Sequence, residues 1–202
     1  LFVTADKSSY KQLPQLIAKE GLQYPIVIKP CSTSCSEGVT PDAIKYSAEG
    51  IVEHADKLLT EFPGSVIIEE YVPGAEFTVA AIGNGETQKT YAVYVNVRGV
   101  NGYDHLLDCE TKNGDCFASG VVTMKPLIEV NYTTQLAAIA KEICGALDIS
   151  DFTRFDGRFD AKGKPKIFDV NGMPGLCENI SFSTQMIYSL FPNKAKEEVY
   201  KG

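Results

Sequence analysis

Five residues in the last third of the chain, Arg154, Asp156, Arg158, Asp169 and Asn171, carry its densest chemistry. In FTRFDGRF, strict alternation along a strand puts Phe152, Arg154, Asp156 and Arg158 on one face and leaves Thr153, Phe155 and Phe159 off it. In KIFDVNG the same rule puts Ile167, Asp169 and Asn171 on one face and Phe168 and Val170 on the other. The turn AKGK separates the two runs, so Asp156 and Asp169 can oppose each other across a hairpin. Opposed carboxylates repel unless positive charge lies between them. A hard dication supplies that charge, and an all-oxygen donor set of two Asp and one Asn suits Mg2+ with phosphate and water better than zinc or copper. Pro174-Gly175 then turns the chain away and leaves the donors open at a strand end. The same pattern also reads as a salt-bridged surface hairpin in which Arg154 and Arg158 neutralise the two Asp.

Two further stretches have the makings of a nucleotide site. Lys29 closes the apolar strand PIVIK, where it is either an edge charge or a cation held over a cleft. The loop after it, CSTSCSEG, is rich in hydroxyls and backbone NH groups that can cradle phosphate oxygens, or it is a plain surface loop. It matches neither the Walker nor the dinucleotide pattern. IIEEYVPGAEF sets Glu69, Glu70 and Glu76 around a Tyr-Val-Pro-Gly connection. Such carboxylates accept bonds from an adenine amino group and a ribose, or they are solvated acids near a turn.

The elements that must hold these residues are legible as alternating helices and strands. Residues 8–20 read as a helix with Leu13, Leu16 and Ile17 on one face, Pro14 near its start and Gly21 as its stop. Residues 24–30 read as a strand, and 47–61 as a helix with Ile51, Ala55, Leu58 and Leu59 inward. SVIIEEYV and AEFTVAAIG flank Pro73-Gly74 as two strands, and NGET is a hairpin turn into QKTYAVYVNV. Residues 98–126 show no period and read as one long loop. Residues 132–149 form the strongest helix pattern, with the stripe Leu136, Ile139, Ile143 and Leu147. After the two strands of the acidic hairpin, a last helix is expected over 183–190, followed by a polar tail.

Composition sets the frame. Of 202 residues, 44% are hydrophobic and 22% charged, the balance of an ordinary globular chain. The net charge of -7, with no basic block, argues against a nucleic-acid surface and means that an anionic ligand needs local cations or a metal. The six cysteines lack the paired spacing of a structural zinc site; Cys31 and Cys35, four apart, have no second pair, and reduced thiols in a cytosolic protein are the expectation. No apolar run is long enough to span a membrane, and the start LFVTADKSS lacks the zones of a signal peptide. The absence of a starting Met implies a chain processed or cut from something longer.

In chain order, YPIVIKP, VIIEEYVPGAEFTVA, FTRFDGRFD and FDVNGMPGL resemble the motifs of the ATP-grasp fold and, within it, of the D-alanine:D-alanine ligase family, over about residues 2–191. The resemblance implies an α+β fold of two lobes with antiparallel sheets enclosing a nucleotide cleft. The small central lobe would span 1–72 and the C-terminal catalytic lobe 73–202, with the family's N-terminal domain lying upstream of this sequence. By the same resemblance Lys29, with Ser34 and Ser36 of the loop, contacts the phosphates of ATP. Glu69, Glu70, Tyr71 and Val72 hold adenine, and Glu76 takes the ribose hydroxyls. Asp156, Asp169 and Asn171 bind two Mg2+ ions, which Mn2+ can replace, and Arg154 stabilises the charge of the transferring phosphoryl group. Gly175 and Ser181 belong to the second amino-acid subsite, with Ser181 counted among the catalytic residues.

The implied reaction is ATP-dependent joining of a small carboxylate and an amine through an acyl phosphate, in the cytoplasm, without nucleic acid or membrane; a homodimer is compatible with it. The chain departs from the family pattern at four places. Ser34, Cys35 and Ser36 stand where the ligases carry Gly-Ser-Ser, leaving Gly38 as the loop's only glycine. Asp108 stands where a closing-loop Lys is usual, with His105 and Lys112 as substitutes nearby. Asp169 replaces a Glu, and Ser181 is displaced by one residue, beside Glu178 and Asn179. These departures also suit a nucleotide-binding or regulatory module that has lost ligase activity.

Overall fold

The computed structural model describes residues 1–33, 36–97, 116–177 and 181–193. Leu1–Tyr71 form one compact unit, and the described residues from Val72 onward form another.

The first unit is a four-stranded antiparallel sheet backed by two helices. Its strands are β1 (Phe2–Asp6), β2 (Ile26–Pro30), β3 (Ile44–Lys45) and β4 (Ser65–Glu70), in the order β1-β4-β2-β3. Helices α1 (Leu13–Glu20) and α2 (Ile51–Glu61) supply Leu13, Ile17, Ile51, Ala55, Leu58 and Leu59 to the core. The sheet answers with Val3, Ala5, Ile26, Ile28, Val66 and Ile68, every second residue of its strands. Alternation therefore sends Val27, Lys29, Ile67 and Glu69 to the face away from α1 and α2. Helix α1 begins later than its periodicity suggests: Tyr10–Gln12 form a 3₁₀ turn, and Pro14 sits in the first α-turn, where its missing NH costs nothing. Gly21, at φ 72°, ends it in the left-handed conformation that glycine adopts most cheaply.

The second unit is a five-stranded antiparallel sheet, β5 (Glu76–Ile82), β6 (Lys89–Val97), β7 (Val122–Pro126), β8 (Phe152–Phe159) and β9 (Pro165–Asn171), in the order β7-β6-β5-β8-β9. Helix α3 (Val130–Leu147) covers one face, packing Leu136 and Ala140 on Phe77, Val79, Ala81 and Phe155. Helix α4 (Phe182–Leu190) covers part of the other, where Met186 meets Ala80 and Val93. The fold is thus α+β, two antiparallel sheets with helices, as the sequence implies.

The sequence reading did not name strands β1 and β3 and began α2 at 47 rather than at Ile51, and two details of the second unit also differ. The end of the stretch read as a loop is strand β7, paired with the edge of β6; five residues ending in Pro126 are too few to show a period. Residues 116–121 form a turn leading into β7, and 98–115 lie outside the described residues. On α3, Leu147 is 57% exposed, and Ala140 takes the buried place, because the helix lays a narrower stripe on the sheet than its apolar residues would allow. Among the described residues no helix is long and apolar enough to cross a membrane.

Candidate functional site

The centre of the second sheet places the acidic hairpin. Strand β8 pairs with both β5 and β9, and residues directly opposed share a face. Asp156 opposes Asp169 on one side and Thr78 on the other; Arg154 opposes Asn171 and Ala80; Arg158 opposes Glu76. All lie on the face that α4 partly covers, beyond the apolar patch of Ala80, Val93 and Met186.

The pairing of Asp156 with Asp169 depends on a β-bulge. The register runs Gly157 to Ile167 and then Asp156 to Asp169, so Phe168 is the extra residue of β9. Strict alternation, which assigned Ile167 to the face of Asp169, fails at this point. Ile167 packs in the α3-side core together with Val170, while Asp169 is exposed on the other face.

Hydrogen bonds divide the polar face into three groups. Arg154 grips Asp156 with two bonds, Nε to Oδ1 at 3.2 Å and Nη2 to Oδ2 at 2.9 Å, and the buried Thr78 donates Oγ1 to the same Oδ1 at 2.6 Å. Among the described ion pairs the partner of Arg158 is Glu76, not an Asp of the hairpin. Arg158 donates Nε at 3.1 Å and Nη2 at 2.7 Å to Glu76 Oε2, a buried pair across β5 and β8. Asp169 accepts only a side-chain amide bond among those resolved, from Asn171 Nδ2 to its Oδ2 at 3.1 Å. The Arg154 guanidinium also lies 5.5 Å from the centre of the Phe182 ring at the start of α4, a contact that holds its plane.

This donor set fits a hard divalent cation. Two carboxylates and an amide oxygen share one face, and Asp169 has no cation of its own among the described ion pairs. Among the described residues no group of three or more His, Cys, Asp and Glu gathers for a metal, so phosphate or water oxygens must complete any shell. Arg154 and Thr78 already take three of the about four lone-pair sites of Asp156, two on Oδ1 and one on Oδ2, so its free lone pair lies on Oδ2.

In the first unit, Lys29 Nζ lies 2.6 Å from Glu69 Oε1 on the face away from α1 and α2. Glu70 accepts the Gln23 backbone NH at 3.0 Å, and Tyr71 is buried with its own NH on the Pro25 carbonyl at 2.9 Å. Next in the chain, in the second unit, the Val72 carbonyl accepts Arg158 Nη1 at 3.4 Å. The loop after β2 is held by its own bonds: Thr33 Oγ1 donates to the Glu37 carbonyl at 2.8 Å, and the Val39 NH to the Ser36 carbonyl at 3.0 Å. Ser36 adopts φ 61° there. Burial pushes the Cys31 thiol up, with Lys29 opposing and Glu69 adding to the rise, so it carries little thiolate.

Ser181 is the N-cap of α4. Its Oγ accepts the Thr184 NH at 3.2 Å and donates to Thr184 Oγ1 at 2.9 Å. Gly175 lies close to it, since a methyl group at Gly175 would sit 3.9 Å from Ser181 Cβ. Ser34, His105, Asp108, Lys112, Glu178 and Asn179 lie outside the described residues. Sequence reasoning passed over Thr78 and the partner of Arg158; Thr78 stands two residues beyond Glu76, and that spacing on a strand was the available sign that they share a face.

The comparisons with known proteins agree with this architecture. A D-alanine–D-alanine ligase from Aquifex aeolicus is 28% identical over 195 residues, which cover 96% of this chain and 58% of that protein. The fold matches the VanG D-Ala:D-Ser ligase of Enterococcus faecalis with a TM-score of 0.71 at 19% identity, over 100% of this chain and 54% of that one. It matches D-alanine–D-alanine ligase from Bacillus anthracis, solved with ATP, with a TM-score of 0.66 at 17% identity, over 100% and 61% respectively. The chain thus spans about half the length of the relatives it matches. The family model described as D-ala D-ala ligase C-terminus matches residues 1–193, and the chain belongs to that family, with the ATP-grasp fold.

Proposed function

We propose that the chain is the nucleotide-binding and catalytic portion of an ATP-dependent carboxylate–amine ligase that forms a dipeptide or a related amide. The observation that supports it best is the opposition of Asp156 to Asp169 beside Arg154 and Asn171, within a chain of this family. Asp156, Asp169 and the Asn171 amide oxygen would hold Mg2+, which neutralises phosphate charge when bound. A substrate carboxylate oxygen attacks the γ-phosphorus of ATP, and ADP leaves. The amine nitrogen of the second substrate then attacks the acyl carbon of the acyl phosphate, losing a proton as phosphate departs and the amide bond forms. Arg154, anchored by Asp156 and Phe182, presents fixed positive charge to the transferring phosphoryl group. Lys29 exchanges Glu69 for a phosphate oxygen, and Glu69 is released toward the base. Ser181, the N-cap of α4, and Gly175 close to it would face the amine substrate.

A second reading, a nucleotide-binding module without ligase activity, is favoured by one feature: the charge of Asp156 is matched by Arg154 of the same strand. Phosphate release from ATP by the full-length protein separates the two. A ligase releases phosphate only when Mg2+ and both amino-acid substrates are present. Nucleotide bound without turnover under every substrate pair selects the module, and failure to bind ATP rejects both.

A further inference from the structure

We propose that Arg158 is a positioning residue of the nucleotide site, holding the Glu76 carboxylate in the orientation in which it recognises sugar hydroxyls. The inference rests on reading Glu76 as the ribose ligand, and it assigns a task to a residue that reading leaves without one.

Arg158 is 3% and Glu76 9% exposed, so this is a desolvated ion pair in which a misplaced charge is costly. Nε and Nη2 of the guanidinium both donate to one carboxylate oxygen, Oε2, which pins that oxygen in place. The third nitrogen, Nη1, reaches the Val72 carbonyl at 3.4 Å. One side chain therefore ties together the two residues of this unit that are read as touching the base and the sugar.

The backbone from which Arg158 projects is itself fixed. A methyl group on Gly157 would run into the Lys166 carbonyl and lie 2.6 Å from the Phe77 ring, so the strands meet there without slack. On the other side the Phe159 NH bonds the Ala75 carbonyl at 3.1 Å, and its ring packs 4.7 Å from Phe77. Arg158 is thus held between two tight contacts, which is the support that a positioning side chain requires.

Recognition of vicinal hydroxyls needs an acceptor-only group, and a carboxylate is one only while ionised. Removing the guanidinium leaves a buried carboxylate with reason to take up a proton, and a protonated acid both donates and accepts. Hydroxyl recognition would then fade and become dependent on pH. A residue that merely stabilised the fold would weaken all nucleotides alike.

The test is calorimetric binding of ATP and 2′,3′-dideoxy-ATP, with Mg2+, to the full-length protein and to its Glu76→Gln, Arg158→Met and Arg158→Lys variants. The wild type should prefer ATP by about tenfold, the scale of one charge-assisted hydrogen bond, and Glu76→Gln should lose most of that preference. Arg158→Met should lose it as well, with the preference that remains growing as the pH is raised. Arg158→Lys, which keeps the charge but not the fork, should fall between; if Arg158→Met does not fold, this variant decides. Full preference in the folded Arg158 variants, or equal weakening of both nucleotides, overturns the role of Arg158 even if Glu76→Gln behaves as expected. A wild type that binds both nucleotides equally, or neither, overturns the reading of Glu76 together with it.

Discussion

Lys29 and Glu69, 2.6 Å apart, make any phosphate a competitor for an ammonium that is already engaged. Lys29→Ala should therefore weaken ATP far more than adenosine, and equal losses for both would mean that Lys29 is no phosphate ligand. Asp169 is the opposite case, an exposed carboxylate with no cation among the described ion pairs. Asp169→Asn, nearly isosteric, should abolish Mg2+-dependent nucleotide binding without disturbing the circular dichroism spectrum; unchanged Mg2+ dependence would sink the metal assignment. His54 gives the molecule a pH signature away from the site. Burial pushes its pKa down from 6.5, with Asp42 opposing and Lys45 and Lys57 adding to the fall, and its Nδ1 has no hydrogen-bond partner. The unfolded chain thus binds a proton near pH 6.5 that the folded chain declines. Stability from this residue is complete above that pH and is lost progressively below it. Thermal melting should show a midpoint that drops on acidification below pH 6.5, with a shallower drop in His54→Leu.

Among the elements, α4 carries the sharpest test, because Ser181 is claimed both by its cap and by the amine subsite. Ser181→Ala should cost about 1 kcal/mol of stability through the lost cap. Ser181→Asp keeps an acceptor for the Thr184 NH but not the hydroxyl. Restored stability without restored turnover would separate the two duties, whereas turnover restored along with stability would leave Ser181 only the cap. The elements were largely legible in the sequence because most runs are long enough to display a period, as in α2, where every apolar residue named for the inner face is buried. What stayed hidden has a physical reason in each case. Strand β7 is short and ends in proline, so its identity comes from the edge it joins rather than from its own pattern. The pairing of Arg158 with Glu76 went unread because alternation ranks residues within one hairpin, while Glu76 reaches it from β5, 82 positions away. The bulge at Phe168 leaves no mark in composition at all.

Across the whole molecule, two apolar cores share no residue: Ile68 belongs to one and Leu136 to the other. Ile68→Ala and Leu136→Ala should each cost about 2–5 kcal/mol, the usual loss for emptying a filled core position. Each should shift a different step of a denaturation curve followed by hydrogen exchange, and one common shift for both variants would show that the units unfold together. Charge adds a constraint at this scale. The chain carries a net charge of -7, and the candidate cations Lys29, Arg154 and Arg158 stand against Glu69, Asp156 and Glu76. Within each unit positive charge is thus matched locally by acid, and attraction for a polyphosphate must come largely from a metal brought with it.

The unpaired residue at Phe168 has a consequence best put in terms of phase. Counted from the turn at the end of β8, an unbroken strand would set Phe168 opposite Asp156, send Asp169 into the oily side with Phe155, and turn Val170 out beside Arg154. The spare residue acts as a half-period delay, after which acid and apolar positions exchange sides and stay exchanged through Asn171. A hairpin one residue shorter, lacking Phe168, would arrive at the same opposition of Asp156 and Asp169 with no delay needed. The site is therefore indifferent to that length and sensitive to parity: a second residue inserted into β9 without a compensating bulge would turn the acids inward, however conservative its chemistry.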